Sequence, residues 1–545
     1  MEHTRSRELS RFFSKEISEK CGFISVDGFL NPTVTGLEYD SRNVKPGNLF
    51  FALPGLHTDG SLYINDAINR GAVVIVHEND ISDKKSNIVY LKVKDARFAM
   101  SSLSASFYDF PSKKLLVTGV TGTEGKSTTV YLIYQLLTML GKKTGFISTV
   151  QHSLGNEVLF NTEHQTTPEA PVIHRLLWEM SENGCEFAVL ETSSHGLSPK
   201  TNRLGDIEFC SGVLTNITHE HLEFHGTWEQ YREDKANLFR ALDKYSPLPG
   251  SSFAGPFGVV NNDDKSSRYF RKMTHNKVFS YSPQGKDGDV ILEIIESCAF
   301  GNWYSIFIPA LKEHINIRDK LPGAYNSGNV LASLLIVSGL LKLPLRDIAP
   351  FVKRLKPVRG RMTAIDKGQP YEVVVDYAHT PSSFQTIFPQ LRRRFDKKGG
   401  KIISVFGSAG ERDTQKRAEQ GKIAAHYSDI IILTDEDPRG ENPMDILLEI
   451  EKGVLTDQGF RVVKAAVHPD VKIDQNRIVF NRDENLFLIP DRLQAIRKAL
   501  SLAHEGDLVL LLGKGHENSI IYADRVMSFD EINETEKALK ELGFV

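Results

Sequence analysis

The densest chemistry in this sequence lies at residues 119–129, Gly-Val-Thr-Gly-Thr-Glu-Gly-Lys-Ser-Thr-Thr. Glycines at 119, 122 and 125 would let backbone N–H groups turn toward an anion. Lys126 can reach the outer phosphates of a nucleoside triphosphate, and the Ser127 hydroxyl suits one position on Mg2+. Glu124 is an unwelcome neighbour for phosphates unless it faces the metal or solvent. A second centre is Glu191, which ends the apolar run Phe187–Leu190 and is followed by Thr192-Ser193-Ser194-His195. A carboxylate at the end of a strand beside a phosphate-loop strand is where nucleotide hydrolases place their metal-holding acid. Thr166 and Thr167 offer paired hydroxyls, although the following Pro168 and Glu169 also read as a helix start. His195, His219, His221 and His225 could be a zinc cluster. With no thiolates nearby, one histidine assisting Mg2+ is the more economical reading. Lys235, in a charged helical run, would by itself be an ordinary surface lysine.

The elements needed to position these groups can be read from periodicity. Leu115, Leu116, Val117 and Val120 form a short strand-like run, and Val130, Ile133, Leu136, Leu137 and Leu140 recur at helical spacing up to Gly141. Strand, glycine loop and helix therefore follow in the order a phosphate loop requires. Residues 36–76 read as a small α/β unit: a strand pair around Pro46-Gly47, a loop at 54–60, a helix through Ala67 and a buried strand at 73–76. From residue 358 onward one pattern repeats, an apolar strand and then a polar loop, at 373–379, 402–407, 430–440 and 508–517. Helical stretches such as 495–502 separate them. This predicts a doubly wound parallel sheet with its functional loops at the carboxyl ends of the strands. An NAD-binding domain would share that plan, but the dinucleotide glycine fingerprint is missing.

Composition narrows the class. A chain of 545 residues with 40% apolar content exceeds one core and predicts about three domains. Basic (66) and acidic (69) residues nearly balance, which argues against a nucleic-acid partner. Cys21, Cys185, Cys210 and Cys298 are scattered without a CxxC pair, as expected of a reducing cytoplasm. The N-terminus lacks the apolar core of a signal peptide, and the longest apolar stretch, near 330–341, is interrupted and too short to span a bilayer. A cytoplasmic monomer without membrane contact is the expectation.

Several separated motifs resemble the Mur ligase family, and among its members the MurE type. The loop Gly-Thr-Glu-Gly-Lys-Ser resembles the family's GTxGK(S/T), in which Asn is usual where Glu124 stands. Asp40-Ser41-Arg42, followed by Pro-Gly-Asn-Leu-Phe and an Asp-Gly loop, is similar to the uridine-nucleotide-binding domain. The likeness implies that Ser41 and Arg42, with the loop Leu56-His57-Thr58, hold a UDP sugar; His57 reads equally as an exposed loop histidine. Glu191-Thr-Ser-Ser-His-Gly-Leu is similar to EVSSHGL, which implies Glu191 as a Mg2+ ligand. By the same likeness Thr166, Thr167, Ser193 and Arg203 contact the muramoyl substrate, although Arg203 lies about two residues beyond its usual place. The resemblance also implies that His221 assists the metal and that Lys235 is carbamylated by CO2, which turns a cation into an anion able to face Mg2+. Asn326 would lie on the adenine side, with a helix cap as its alternative.

In the last third, Arg361, Asp376, His379 and Lys416 fall on motifs that close over ATP in this family. Arg412, Asp437, Arg439, Gly513 and Glu517 fall on those that hold the incoming diamino acid. Guanidinium groups suit carboxylates and Glu517 suits an ammonium. The selector loop reads Glu436-Asp437-Pro438-Arg439 in place of DNPR. Arg439 favours a second carboxylate, and Asp437 favours a distal ammonium. The resemblance thus implies an α/β fold of three domains: a UDP-sugar-binding domain at 1–110, a central P-loop ATPase domain with a mostly parallel sheet at 111–357, and a Rossmann-like amino-acid-binding domain at 358–545. It implies an ATP- and Mg2+-dependent ligase that joins meso-diaminopimelate, L-lysine or L-ornithine to the D-Glu carboxylate of UDP-N-acetylmuramoyl-L-Ala-D-Glu in peptidoglycan synthesis. The ATP loop would comprise Gly122, Thr123, Glu124, Gly125, Lys126, Ser127 and Thr128, and the metal would meet Ser127, Glu191, His221 and Lys235. A folylpolyglutamate-type ligase and a non-catalytic UDP-sugar- or ATP-binding homologue are the alternatives.

Overall fold

The computed structural model describes residues 5–28, 31–54, 59–161, 165–218, 222–247, 253, 255–298, 301–396, 399–456, 462–463 and 485–545. The chain forms two compact units, one of residues 1–295, 304–318 and 325–355, the other of 296–303, 319–324 and 356–545.

The first unit contains a five-stranded sheet and most of a larger one. The five-stranded sheet runs in the order Phe23–Asp27, Val89–Val93, Val74–His77, Asn48–Phe51, Gly36–Glu38, parallel throughout except for its first pair. Gly36–Glu38 and Asn48–Phe51 are paired as expected, but in parallel, so Pro46-Gly47 leads into the second strand and does not join a hairpin. Parallel neighbours cannot be connected by a tight turn, and the 3-10 turn Ser41–Asn43 supplies part of the crossover. Helix Ala96–Phe107, capped by Asp95, is buried along nearly its whole length. It packs against helix Ala170–Glu182, whose Trp178 belongs to the same apolar cluster as Phe12, Leu103 and Phe107.

The larger sheet begins Val158–Phe160, Gln151–Ser153, Thr144–Ile147, Phe187–Glu191, Leu116–Thr121, Ser211–Leu214, Phe257–Asn261, Lys277–Ser282 and continues through Val290–Cys298, Gly301–Ile308 and Glu313–Asp319. From Thr144–Ile147 to Val290–Cys298 every pair is parallel. Such strands are covered on both faces, and Leu116–Thr121 is buried at every position. The helices Lys126–Met139 and Asn326–Leu341 pack together over it, and the second is apolar and buried almost throughout. Among the described residues no single helix is long and apolar enough to cross a membrane.

The second unit carries a seven-stranded sheet in the order Thr363–Ile365, Glu372–Asp376, Leu508–Leu512, Ile402–Phe406, Ile430–Leu433, Leu486–Leu488, Val462–Val463. Only the Thr363–Ile365 edge is antiparallel. The four strands expected from the apolar runs are present, each ending one to seven residues earlier than its run. Their polar tails, beginning at Tyr377, Gly407, Thr434 and Gly513, form loops at one edge of the sheet. Both sheets therefore present their loops at the carboxyl ends of parallel strands, where α/β folds bind ligands.

Candidate functional site

The strand Leu116–Thr121 runs two residues further than the glycine pattern suggested, and helix Lys126–Met139 begins directly after Gly125. The loop is therefore Gly122–Gly125, and Gly119 belongs to the strand. A Cβ on Gly119 would lie 2.5 Å from Leu238 Cδ1, so this glycine serves helix packing and leaves the phosphate loop to its successors. Gly122 (φ +150°) and Gly125 (φ +83°) are the true loop glycines. A Cβ on Gly122 would meet Thr215 Oγ1 at 1.9 Å, and one on Gly125 would meet Asn329 Oδ1 at 2.5 Å.

The loop is clamped by the segment after strand Ser211–Leu214. Asn216 Oδ1 accepts from Glu124 N (3.0 Å), while Asn216 Nδ2 (3.0 Å) and Thr215 Oγ1 (2.6 Å) both donate to Glu124 O. Thr123 N donates to Asn216 O (2.8 Å), and Thr218 N donates to Thr123 Oγ1 (2.9 Å). Position 124 is thus held by its backbone, which explains how the loop keeps its shape with Glu in place of Asn. Lys126 Nζ donates to Thr123 O (2.7 Å), Ser127 is buried, and Thr128 is half-buried. The helix start has no side-chain cap, so its first N–H groups are left for an anion.

Glu191 is register partner of Val120, which brings it to the adjacent strand end beside the loop. It is 3% exposed, and its Oε2 accepts from Thr149 N (2.8 Å). The hydroxyls and guanidinium assigned to substrate cluster around this strand end, but they engage one another. Thr167 Oγ1 donates to Glu191 O (3.0 Å) and accepts from Ser193 N (2.9 Å). Ser193 Oγ caps helix Ser194–Leu197 through Gly196 N (3.1 Å). Arg203 donates to Thr167 O (2.7 Å) and pairs with Glu169 (2.7 Å), while its Nε is buried without a partner. Thr166 is half-buried. Helix Ala170–Glu182 starts after Glu169 without a side-chain cap; Oε1 of that carboxylate accepts from Arg203, and Oε2 is buried without a partner.

Lys235 is not on the surface. It is 2% exposed on helix Trp228–Leu242, its Nζ donates to Gly122 O (2.7 Å), and it lies 4.5 Å over the Tyr231 ring. The next residue back, Asp234, accepts from His225 Nδ1 (2.7 Å), and His225 Nε2 meets Ser194 Oγ at 3.0 Å. His219 and His221 lie outside the described residues, as does the loop Leu56-His57-Thr58.

In the N-terminal sheet Ser41 is buried, and the exposed Arg42 turns back on Asp40 (2.6 Å). That hydrogen bond holds the Asp40 carboxyl below its ordinary range. Asn326 opens helix Asn326–Leu341 without acting as its cap; its Oδ1 accepts from Asn329 Nδ2 (2.9 Å). Asn329 is the one that meets the loop, since its Oδ1 accepts from Thr129 Oγ1 (3.2 Å) and abuts Gly125.

The second unit gathers its own cluster. Asp376 is buried, its carboxylate accepts from Met362 N and Ala378 N (both 2.7 Å), and burial pushes its acidity down, raising its pKa, against the nearby Arg361. Arg361 stacks 4.6 Å over the Tyr377 ring, His379 Nδ1 donates to Tyr377 O (2.9 Å), and Lys416 Nζ donates to His379 O (3.2 Å). Arg361, Asp376, His379 and Lys416 are therefore brought together. In the selector loop, Asp437 is 8% exposed and accepts from Lys514 Nζ (2.8 Å) and Ile521 N (2.9 Å). Lys514, fully buried, also pairs with Glu517. Tyr377 OH donates to Glu517 at 3.3 Å. Glu436 Oε2 is buried without a partner, against Gly513 (φ +104°) at 3.0 Å from its would-be Cβ. Arg439 Nε is likewise buried without a partner, at a residue with φ +53°. Arg412 is exposed.

Sequence reasoning missed Thr215 and Asn216 as loop supports, Lys514 as counter-ion to Asp437, and the Asp234–His225 pair. Only Lys514, inside Gly-Lys-Gly-His-Glu, carried a local signal. The others act across 90 residues or more, or as neighbours of a residue already chosen.

A Mg2+–nucleotide complex fits what is present. The loop has a cradle that a Cβ at Gly122 or Gly125 would fill, and Ser127 and Glu191 offer the hard oxygen donors that Mg2+ takes. Among the described residues no three His, Cys, Asp or Glu side chains are grouped to hold a metal alone. Phosphate oxygens would complete such a site.

Three family descriptions match the chain: Mur ligase family, catalytic domain, at residues 33–108; Mur ligase middle domain, at 120–337; and Mur ligase, glutamate ligase domain, at 360–515. The UDP-N-acetylmuramyl-tripeptide synthetase of Treponema denticola is 49% identical over 93% of this chain and 94% of its own. The UDP-N-acetylmuramoyl-L-alanyl-D-glutamate–2,6-diaminopimelate ligase of Caldanaerobacter subterraneus subsp. tengcongensis is 35% identical over 95% and 97%. Among solved structures, a UDP-N-acetylmuramoyl-L-alanyl-D-glutamate–2,6-diaminopimelate ligase superposes with a TM-score of 0.61 at 24% identity, covering 99% of this chain and 100% of its own, and so shares the fold. Matches in all three regions, together with relatives aligned over nearly their full length, show that the chain belongs to the Mur ligase family.

Proposed function

We propose that this chain is the ligase that adds a diamino acid to UDP-N-acetylmuramoyl-L-Ala-D-Glu at the expense of ATP. The observation that carries the reading is the joint placement of a glycine-cradled Lys126-Ser127 helix start, Glu191 at the adjacent strand end, and Lys235 on the loop carbonyl. Near-full-length likeness to tripeptide synthetases supports the substrate class. The γ-carboxylate of D-Glu attacks the γ-phosphorus of ATP, ADP leaves, and the amine of the amino acid displaces phosphate from the acyl phosphate to leave an amide. Lys126 and the N–H groups of the loop and helix start offset phosphate charge, and the loop fixes the attacking geometry. Bound Mg2+ would add charge neutralisation at Ser127 and Glu191, with His221 assisting. The buried Lys235 ammonium would give up two protons in all as Nζ takes up CO2, forming a carbamate anion of the kind that suits Mg2+.

For the incoming amino acid, the charge that separates Glu-Asp-Pro-Arg from DNPR is offset internally, because Asp437 pairs with Lys514. Arg439 and Glu436, whose buried Nε and Oε2 have no partner, remain to read the distal end beside Glu517, which already pairs with Lys514, a set that suits a side chain bearing an ammonium, with or without a carboxylate. ATP-dependent phosphate release with the UDP-dipeptide and meso-diaminopimelate, L-lysine or L-ornithine tests the proposal and identifies the amino acid. Release with a folate substrate alone, or with none of these, refutes it.

A further inference from the structure

Helix Trp228–Leu242 places Lys235 toward the phosphate loop, while the preceding Asp234 turns into a separate, closed network. Asp234 Oδ2 accepts from His225 Nδ1 (2.7 Å), and its Oδ1 accepts from Gln230 Nε2 (3.0 Å). A neutral His225 donating from Nδ1 to the carboxylate presents Nε2 as an acceptor for the Ser194 hydroxyl, 3.0 Å away. The constellation has the connectivity of a hydrolase triad, but Ser194 is 1% exposed and His225 4%, so no substrate can reach the hydroxyl. Its position is what matters. Ser194 follows the strand that ends in Glu191, His225 closes the short helix Leu222–His225 just after His221, and Asp234 precedes Lys235. The network therefore ties the segment after Glu191 to the helix that carries Lys235, through the short helix Leu222–His225.

We infer that Ser194, His225 and Asp234 are positioning residues, a buried hydrogen-bonded brace that sets the mutual placement of Glu191 and Lys235. This rests on the ligase reading. A carboxylate–imidazole pair orients ligands without touching the metal, and loss of such support costs about 10- to 100-fold in metal affinity or activity. Asp234→Asn keeps an acceptor for Nδ1 and should stay close to wild type, whereas His225→Phe breaks both links.

The test measures Mn2+ binding to the full chain in the presence of ADP by electron paramagnetic resonance, alongside kcat, KM and thermal unfolding. His225→Phe is expected to bind Mn2+ about tenfold more weakly and to lose kcat by about tenfold or more, with KM for the UDP-dipeptide little changed. His225→Asn, which can still donate to Asp234, should recover part of the loss. Adding Asp234→Leu to His225→Phe should cost little more, since the brace is already broken. If His225→Phe does not fold, Ser194→Ala and His225→Asn decide by the same readouts. Folded His225→Phe or Ser194→Ala with wild-type Mn2+ affinity and kcat, or fully additive losses in the double variant, overturn the inference. A wild-type chain that neither binds Mn2+–ADP nor ligates would instead overturn the ligase reading itself.

Discussion

His174 gives a quantitative test of the packing between the N-terminal sheet and the nucleotide-binding part of the first unit. It sits on helix Ala170–Glu182, fully buried, with neither ring nitrogen partnered. The charged groups facing it are Asp206 and Lys20, which pair with each other. Burial is the main cause that lowers its pKa from 6.5 to about 4, with Asp206 opposing and Lys20 assisting. Above pH 6.5 the ring is neutral in both folded and unfolded chains and contributes no pH dependence. As pH falls below 6.5 the unfolded chain takes up the proton first, so stability is lost down to pH 4 and then levels off. At about 1.4 kcal/mol per pH unit the full loss is about 3 kcal/mol, of which about 2 kcal/mol is reached by pH 5. His174→Leu removes the titrating group and two unsatisfied nitrogens at similar volume. It should be no less stable than wild type at neutral pH and should hold that stability better at pH 5. Urea unfolding followed by tryptophan fluorescence, with Trp178 on the same helix as reporter, measures the difference. Equal pH dependence in the two proteins would refute the reasoning.

Three further outcomes follow from the site. Gly122→Ala drives a methyl into Thr215 Oγ1, which lies 1.9 Å from the Cβ position, so nucleotide affinity measured by calorimetry should fall by about tenfold or more; unchanged affinity would mean that the loop is not the cradle. Lys235→Ala should abolish ligation and recover part of it in added short-chain carboxylates, and no loss would remove the carbamate. Asp437→Asn leaves Lys514 with Glu517 as its remaining partner, so KM for the amino acid should shift by several-fold with KM for ATP unchanged; the reverse pattern would place Asp437 outside the amino-acid subsite.

Much of this was legible in sequence because local pattern and local structure coincide. Strand, loop and helix around Lys126 follow from apolar spacing and glycine, and Glu191 ends a strand that the sheet sets beside them. Gly119 shows where such reading fails. A glycine that admits Leu238 from a distant helix looks in sequence like one that turns a loop. The same holds for charge. Asp437 reads as a free carboxylate until Lys514, 77 residues on, is found bonded to it. The parallel pairing of Gly36–Glu38 with Asn48–Phe51 was hidden for a related reason, since a Pro-Gly turn signal does not say which strand lies next door.

On this account the D-Glu carboxylate attacks ATP to form an acyl phosphate, and one of its oxygens leaves with the phosphate that the amine displaces. Enzyme supplied with UDP-N-acetylmuramoyl-L-Ala-D-Glu labelled with 18O in its γ-carboxylate, ATP and the accepted diamino acid should release phosphate carrying one 18O for each amide formed. Unlabelled phosphate, or ATP consumed without a tripeptide product, would contradict the account.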